Sequence, residues 1–104
     1  MALFEVSVVP IGTNTTSIGD YIADAVQVLA DAGVSYEVSA MGTLFEAGVK
    51  EALPLIQKMH EAAFKRGAQR VLSTIVIDDR RDKAVTIKSK VASVKRRLRR
   101  GRSK

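Results

Sequence analysis

Apolar and polar positions alternate through residues 4–10, with Phe4, Val6 and Val8 on one side and Glu5, Ser7 and Val9 on the other. A period of two predicts a strand with one oily face, and here it leaves a carboxylate and a hydroxyl on the second face. A polar loop follows at residues 11–16, carrying the turn-formers Gly12 and Asn14. The period then lengthens: Ile18, Ile22, Ala25, Val26 and Leu29 share one helical face and predict an amphipathic helix over residues 18–32. Ser17 is its expected N-cap, Asp20 sits near its positive end, and Gly33 suits its C′ position.

Alternation returns over residues 34–40, with Val34, Tyr36, Val38 and Ala40 opposed to Ser35, Glu37 and Ser39. Met41-Gly42-Thr43 supplies a tight reversal into a short strand at residues 44–46. Leu53, Ile56, Met59 and Ala63 predict a second helix over about residues 50–66, ending at Gly67. Pro54 requires that helix to start near residue 51 or to kink, because proline removes a donor and crowds the preceding turn. Residues 70–78 are rich in β-branched side chains and predict a fourth strand, followed by a charged turn at residues 78–83. Ile87, Val91, Val94 and Leu98 then mark a terminal helix over about residues 85–98.

The order strand, helix, strand, strand, helix, strand is the split βαβ, or ferredoxin-like, α+β sandwich (βαββαβ), here with an extra C-terminal helix. In that arrangement two helices cover one face of an antiparallel sheet, and the first and third strands are central. Phe4, Val6 and Val8 then meet the helices, while Glu5 and Ser7 point to the open face. Glu46 is expected on the neighbouring central strand, with Ser39 or Thr74 nearby. The chain reads as one domain over residues 1–98 with a basic, disordered tail at residues 99–104.

Charge changes this picture only at the end of the chain. Of 17 Lys and Arg, 10 lie in residues 1–94 together with all 11 acids, so the body carries −1 and the +6 total belongs to the tail. Cysteine is absent, which excludes a disulfide scaffold and thiolate metal sites. No apolar run approaches the roughly 20 residues that span a bilayer, and no secretory leader pattern opens the chain, so a cytoplasmic protein is expected.

Common catalytic schemes find little here. His60 is the single histidine and cysteine is absent, so no Cys-His pair can be assembled, a zinc site lacks its usual ligands, and no Ser-His triad is expected. His60 reads as a helix-surface or packing residue. Gly12 and Gly19 lack the lysine of a phosphate loop and the spacing of a dinucleotide fingerprint. The expectation is therefore a non-enzyme without a cofactor.

Glu5 and Glu46 carry two open readings. They are either exposed or subunit-bridging carboxylates, or an acidic floor for a cationic small molecule that relieves their repulsion. In the second reading Ser7, Asn14, Ser39 and Thr43 are the candidate hydrogen-bonding groups. Tyr21 and Phe45 are either aromatic walls or plain packing. An open sheet face bearing Val9, Leu44, Leu72 and Val76 also calls for a cover, so a homodimer or homotetramer through the sheet face or edges is expected. The alternatives are a structural or regulatory homo-oligomeric module without a ligand, or nucleic-acid binding through the basic tail. The arginine-rich end lacks interleaved aromatics and reads as solvated rather than as a nucleic-acid binder. No membrane partner is expected.

Several stretches together resemble the YkoF-like thiamine-binding domain family: residues 5–12, Ser17 to Tyr21, Met41-Gly42-Thr43-Leu44-Phe45-Glu46, residues 60–71 and the charged turn at residues 78–83. The closing helix at residues 90–98 also resembles that family, so the likeness covers nearly all of the chain up to Leu98. It implies a ferredoxin-like fold, assembly into dimers or tetramers, and non-enzymatic binding of thiamine or its pyrimidine moiety. Under that implication Glu5 or Glu46 faces the cation or the aminopyrimidine, Ser7 and Thr43 hydrogen-bond, and Phe45 or Tyr21 packs on a ring.

Overall fold

The structure, a computed structural model, describes residues 1–102. Strand β1 spans Ala2–Pro10, helix α1 Gly19–Ala32, strand β2 Ser35–Val38 and strand β3 Thr43–Ala47. Helix α2 spans Val49–Lys65, strand β4 Val71–Asp78 and helix α3 Ile87–Arg102. The four strands form one antiparallel sheet in the order β2-β3-β1-β4, so the first and third strands are central, as a split βαβ fold requires.

The register explains the alternation in β1. Phe4 pairs with Phe45 and Ile77, and Val6 with Thr43 and Ile75, all on the side facing α1 and α2. Phe4, Val6, Val8 and Phe45 are buried there with Ala25 and Leu29 of α1 and Ala52, Ile56, Met59 and Ala63 of α2. The Phe4 and Phe45 rings stack with centroids 4.9 Å apart and planes 14° apart. On the other side Glu5 pairs with Leu44 and Val76, Ser7 with Thr74, and Leu3 with Glu46 and Asp78. Glu5 and Glu46 are therefore diagonal neighbours on one face of the sheet.

Local structure departs from expectation in four places. Ile18, not Ser17, is the residue at the N-cap of α1, and no side chain caps that end. The Ser17 N–H instead donates to Thr15 Oγ1 at 3.1 Å, so the loop hydroxyls order the loop. Strand β2 is shorter than its alternating pattern because the Ser39 N–H turns back to the Gly42 carbonyl at 2.9 Å. Helix α2 starts at Val49 and carries Pro54 inside it; Leu53, counted with the oily stripe, is 53% exposed, and Ala52 takes the inward position. Helix α3 runs to Arg102, four residues beyond the end of its apolar stripe. The expected tail's last two residues lie outside those described.

Two ties across elements hold the helix layer. Arg66, at the end of α2, donates from Nε and Nη2 to the Asp24 carboxylate of α1 at 2.5 and 3.0 Å and lies 6.0 Å from the centre of the Tyr21 ring. His60 Nδ1 lies 2.6 Å from Ser73 Oγ on β4, with its ring edge-on to Phe64. His60 is thus a partly buried packing residue that joins helix to sheet. Among the described residues no helix is long and apolar enough to cross a membrane.

Candidate functional site

Helix α3 crosses to the face of the sheet that α1 and α2 leave uncovered. Its start is fixed by a reciprocal pair: the Thr86 N–H donates to Ser89 Oγ at 2.9 Å, and the Ser89 N–H donates to Thr86 Oγ1 at 3.0 Å. This is the geometry of a capping box, with serine replacing the usual acid or amide. The Ile87 N–H, another donor that the helix cannot satisfy itself, goes to Glu46 Oε1 at 2.6 Å. Lys90 then pairs with Asp78 at the end of β4. A cleft of about 280 Å³ results between Ile87 and Val91 of α3 and Leu3, Glu5, Leu44 and Val76 of the sheet.

A second cleft, of about 220 Å³, opens where β1 ends, α1 begins and β2 turns into β3. Its apolar walls include Ile18, Ile22, Met41 and Met59, and Ser7, Ser39 and Thr43 bring hydroxyls to it. The turn on its rim is held by Ser39, whose Oγ donates to the Gly42 carbonyl at 2.7 Å. Gly42 joins the two clefts: it lines the second, and a Cβ built on it would meet Glu5 Cγ at 3.1 Å and Cδ at 3.4 Å. The Glu5 side chain therefore lies directly over the turn.

The eight candidate residues separate into four groups. Ser7, Ser39 and Thr43 come together in the second cleft, although Thr43 enters from the helix side of the sheet and is 3% exposed. Glu5 lines the first cleft and lies against Gly42, which lines the second, and Glu46 sits beside the first with its carboxylate engaged by Ile87. Phe45 is fully buried against Phe4, and Tyr21 packs against the core beneath Arg66. Asn14 lies on the exposed loop with a positive φ of 62°, away from both clefts. Ile18, Ile22, Met41 and Met59 were not candidates. For Ile18, Ile22 and Met59 the signal in the sequence was only the apolar stripe of each helix, which does not distinguish a cleft wall from core, and Met41 read only as part of the reversal between β2 and β3. Among the described residues no cluster of His, Asp and Glu could hold a metal ion.

Comparison with known proteins agrees with this architecture. The chain is 41% identical to the UPF0045 protein YqgV of Bacillus subtilis over 102 residues, covering 94% of this chain and 98% of the relative. The crystal structure of the hypothetical protein MJ1052 of Methanocaldococcus jannaschii superposes with a TM-score of 0.82 at 31% identity, covering 89% of this chain and 94% of that one. A Thermotoga maritima protein assigned provisionally to thiamine biosynthesis or salvage shares the fold, with a TM-score of 0.75 at 22% identity over 89% of this chain and 97% of that one. A family model described as thiamine-binding protein, a family named for binding rather than for a reaction, matches residues 4–95. That match supports a small-molecule-binding role and covers the sheet from Phe4 onward and every residue of the two clefts except Leu3, so the chain belongs to the thiamine-binding protein family.

Proposed function

We propose that this protein binds thiamine, or the aminopyrimidine half of it, in the cleft beside the β2–β3 turn, without catalysing a reaction. The observation that carries this reading is the composition of that cleft: four apolar walls, three hydroxyls and a carboxylate behind Gly42. Pockets for small molecules combine apolar lining with a few placed polar groups. A flat aminopyrimidine offers two apolar faces to Ile18, Ile22, Met41 and Met59, and donors and acceptors at its edge to Ser7, Ser39 and Thr43. The permanently cationic thiazolium then extends past Gly42 toward Glu5, the carboxylate on the other side of that turn. About 220 Å³ suits one substituted ring, which leaves the second ring of thiamine at the mouth.

Assembly into a homodimer or homotetramer belongs to the same proposal. Leu72 and Val76 on the sheet are 58% and 52% exposed, and Val94 and Leu98 on α3 are 51% and 64% exposed. Apolar area of that extent beside a cleft is typical of a surface that a second copy covers. A second reading, a homo-oligomeric interaction module with no ligand, is favoured by Glu46, whose carboxylate already has a structural partner in Ile87.

Titration calorimetry with thiamine and with hydroxymethylpyrimidine separates these readings. The wild type is expected to bind both. Glu5→Gln weakens thiamine more than the neutral pyrimidine, and Thr43→Val weakens both. Equal binding by all three proteins removes Glu5 and Thr43 from the site. No binding by the wild type removes the ligand class and leaves the interaction module, whose oligomeric state sedimentation velocity measures.

A further inference from the structure

The arginines at the end of the chain sit on a helix, and their placement on it has a direction. Of the 16 residues of α3, eight are Lys or Arg and none is Asp or Glu. Successive residues turn by about 100°, so positions three and four apart share a face. Ile87, Val91, Val94 and Leu98 make the apolar stripe. Ser93, Arg96, Arg97 and Arg100 follow the same 3–4 spacing on another face and alone line a shallow recess of about 400 Å³. Arg96 and Arg100 each stand two residues from a stripe residue, about 200° round the helix, whereas Ser93 and Arg97 adjoin Val94 and Leu98 at about 100°, so the recess runs from the flank of the stripe to the far side of the helix.

The charges in this recess are not spent within the fold. Arg80 pairs with Asp82, Arg81 with Asp79 and Lys90 with Asp78, whereas among the described residues no carboxylate pairs with Arg96, Arg97 or Arg100. A neighbouring cleft of about 530 Å³ continues from Arg96 and Arg97 past Val94 and Asp78 to Lys83 in the turn after β4.

We propose that this face of α3 binds the phosphate backbone of nucleic acid without reading base sequence. Guanidinium groups match phosphate oxygens in a fork geometry, and a hydroxyl such as Ser93 adds a donor. Arg96 and Arg97 lie in one turn and Arg100 in the next, a spacing of about 6 Å that suits neighbouring phosphates of a chain rather than a single anion. No aromatic side chain lies in α3, so the surface has nothing to stack on bases, and affinity comes from charge and counterion release. An anionic membrane is the less suitable partner, because a membrane-lying helix turns its apolar stripe and its flanking cations toward the same surface. Here Arg96 and Arg100, two of the three recess arginines, point away from the stripe. The stripe remains available to a second copy while the recess holds phosphates, so this role goes beyond the ligand reading and is independent of it.

Fluorescence anisotropy with a labelled 20-base-pair duplex of random sequence tests this on the full chain across a salt series. Three phosphate contacts predict a log–log salt slope of at least about −2.7, equivalent to roughly 40-fold weaker binding at 200 than at 50 mM salt. The triple variant Arg96→Gln/Arg97→Gln/Arg100→Gln is expected to flatten the slope by about 2.7. An unchanged circular dichroism spectrum and unchanged sedimentation show that α3 and the assembly persist in that variant. Lys58→Gln, on α2, leaves the slope as it was. The proposal is overturned by absence of duplex binding at 50 mM salt or by a triple variant with the wild-type slope. It is equally overturned by binding to phosphatidylserine vesicles in the absence of any binding to duplex.

Discussion

Glu46, on a central strand, accepts a 2.6 Å hydrogen bond from the backbone N–H of Ile87, 41 residues later in the chain. A carboxylate at a helix N-terminus satisfies an orphan donor and meets the positive end of the helix dipole. Helix α3 has particular need of this, since a helix of cations without acids gains no favourable ion pairs between its own turns. Glu46→Ala is expected to cost about 1 kcal/mol, as loss of a capping group does, and to speed amide exchange in the first turn of α3 about fivefold. Amides in β1 and β3 keep their protection. Hydrogen exchange by NMR gives the residue-level answer, and a uniform loss across the sheet would show that Glu46 supports the strand rather than the helix.

The contact between Gly42 and Glu5 yields a separate expectation. A methyl group at residue 42 would meet Glu5 Cγ at 3.1 Å and the Val6 carbonyl at 3.4 Å, so either the acid or the turn must shift. Gly42→Ala is expected to destabilise by about 1–2 kcal/mol, the usual range for overpacking. Because the acid's stem is the main obstacle, adding Glu5→Ala recovers part of that loss. A double-mutant cycle by urea denaturation should show coupling of at least about 0.5 kcal/mol, whereas strict additivity would mean that the turn moves and Glu5 does not.

The stacked pair Phe4 and Phe45 sits at the centre of the core, with both rings essentially without solvent contact. Phe45→Ala is expected to cost about 3–5 kcal/mol, a large part of a small domain's total stability. Phe45→Leu keeps most of the volume and loses less. Since Phe45 reaches neither cleft, the leucine variant is expected to keep whatever affinity for thiamine the wild type has. Chemical denaturation measures the first effect and calorimetry the second; a leucine variant that stays folded but loses ligand would bring Phe45 back into the site.

How far the sequence reveals the fold depends on which residues carry the pattern. In β1 the alternation of Phe4, Val6 and Val8 with Glu5 and Ser7 is strict, one side is fully buried, and a one-residue slip would invert it, so face and register follow from the pattern. In β3 the same logic puts Glu46 beside Glu5 on the open face. What alternation cannot show is that Glu46 meets a backbone N–H 41 residues away, because a long-range cap leaves no local signature. Ser17 failed as a cap for a different reason: its type is right, but the helix begins one residue later and Ile18 occupies the cap position. The second cleft was hidden because its walls are ordinary stripe residues of α1 and α2 joined by Met41 of the β2–β3 turn. The end of α3 was hidden because arginines form helix well while giving no apolar period to count.

Asp24 and Arg66 clamp α1 to α2, and the clamp has a pH signature. The Arg66 guanidinium, bonded to both carboxylate oxygens, holds the Asp24 carboxyl below its ordinary value, against a smaller opposing effect of burial. A carboxyl whose folded-state pKa is depressed adds stability that is fully present above its unfolded value of about 3.9 and is lost as pH falls through the folded value. Asp24→Asn therefore lowers the melting temperature at pH 7, and the two melting curves converge as pH drops below about 3.9. Both side chains are partly solvent-exposed, so the difference is small and shrinks with added salt. Arg66→Lys retains the charge but not the two-pronged fork, nor the flat guanidinium beside Tyr21, and is expected to lose part of the same stability. Melting temperatures for the three proteins from pH 2.5 to 7 decide the matter. Parallel curves over that range would mean that the Asp24–Arg66 pair makes no net contribution to the fold.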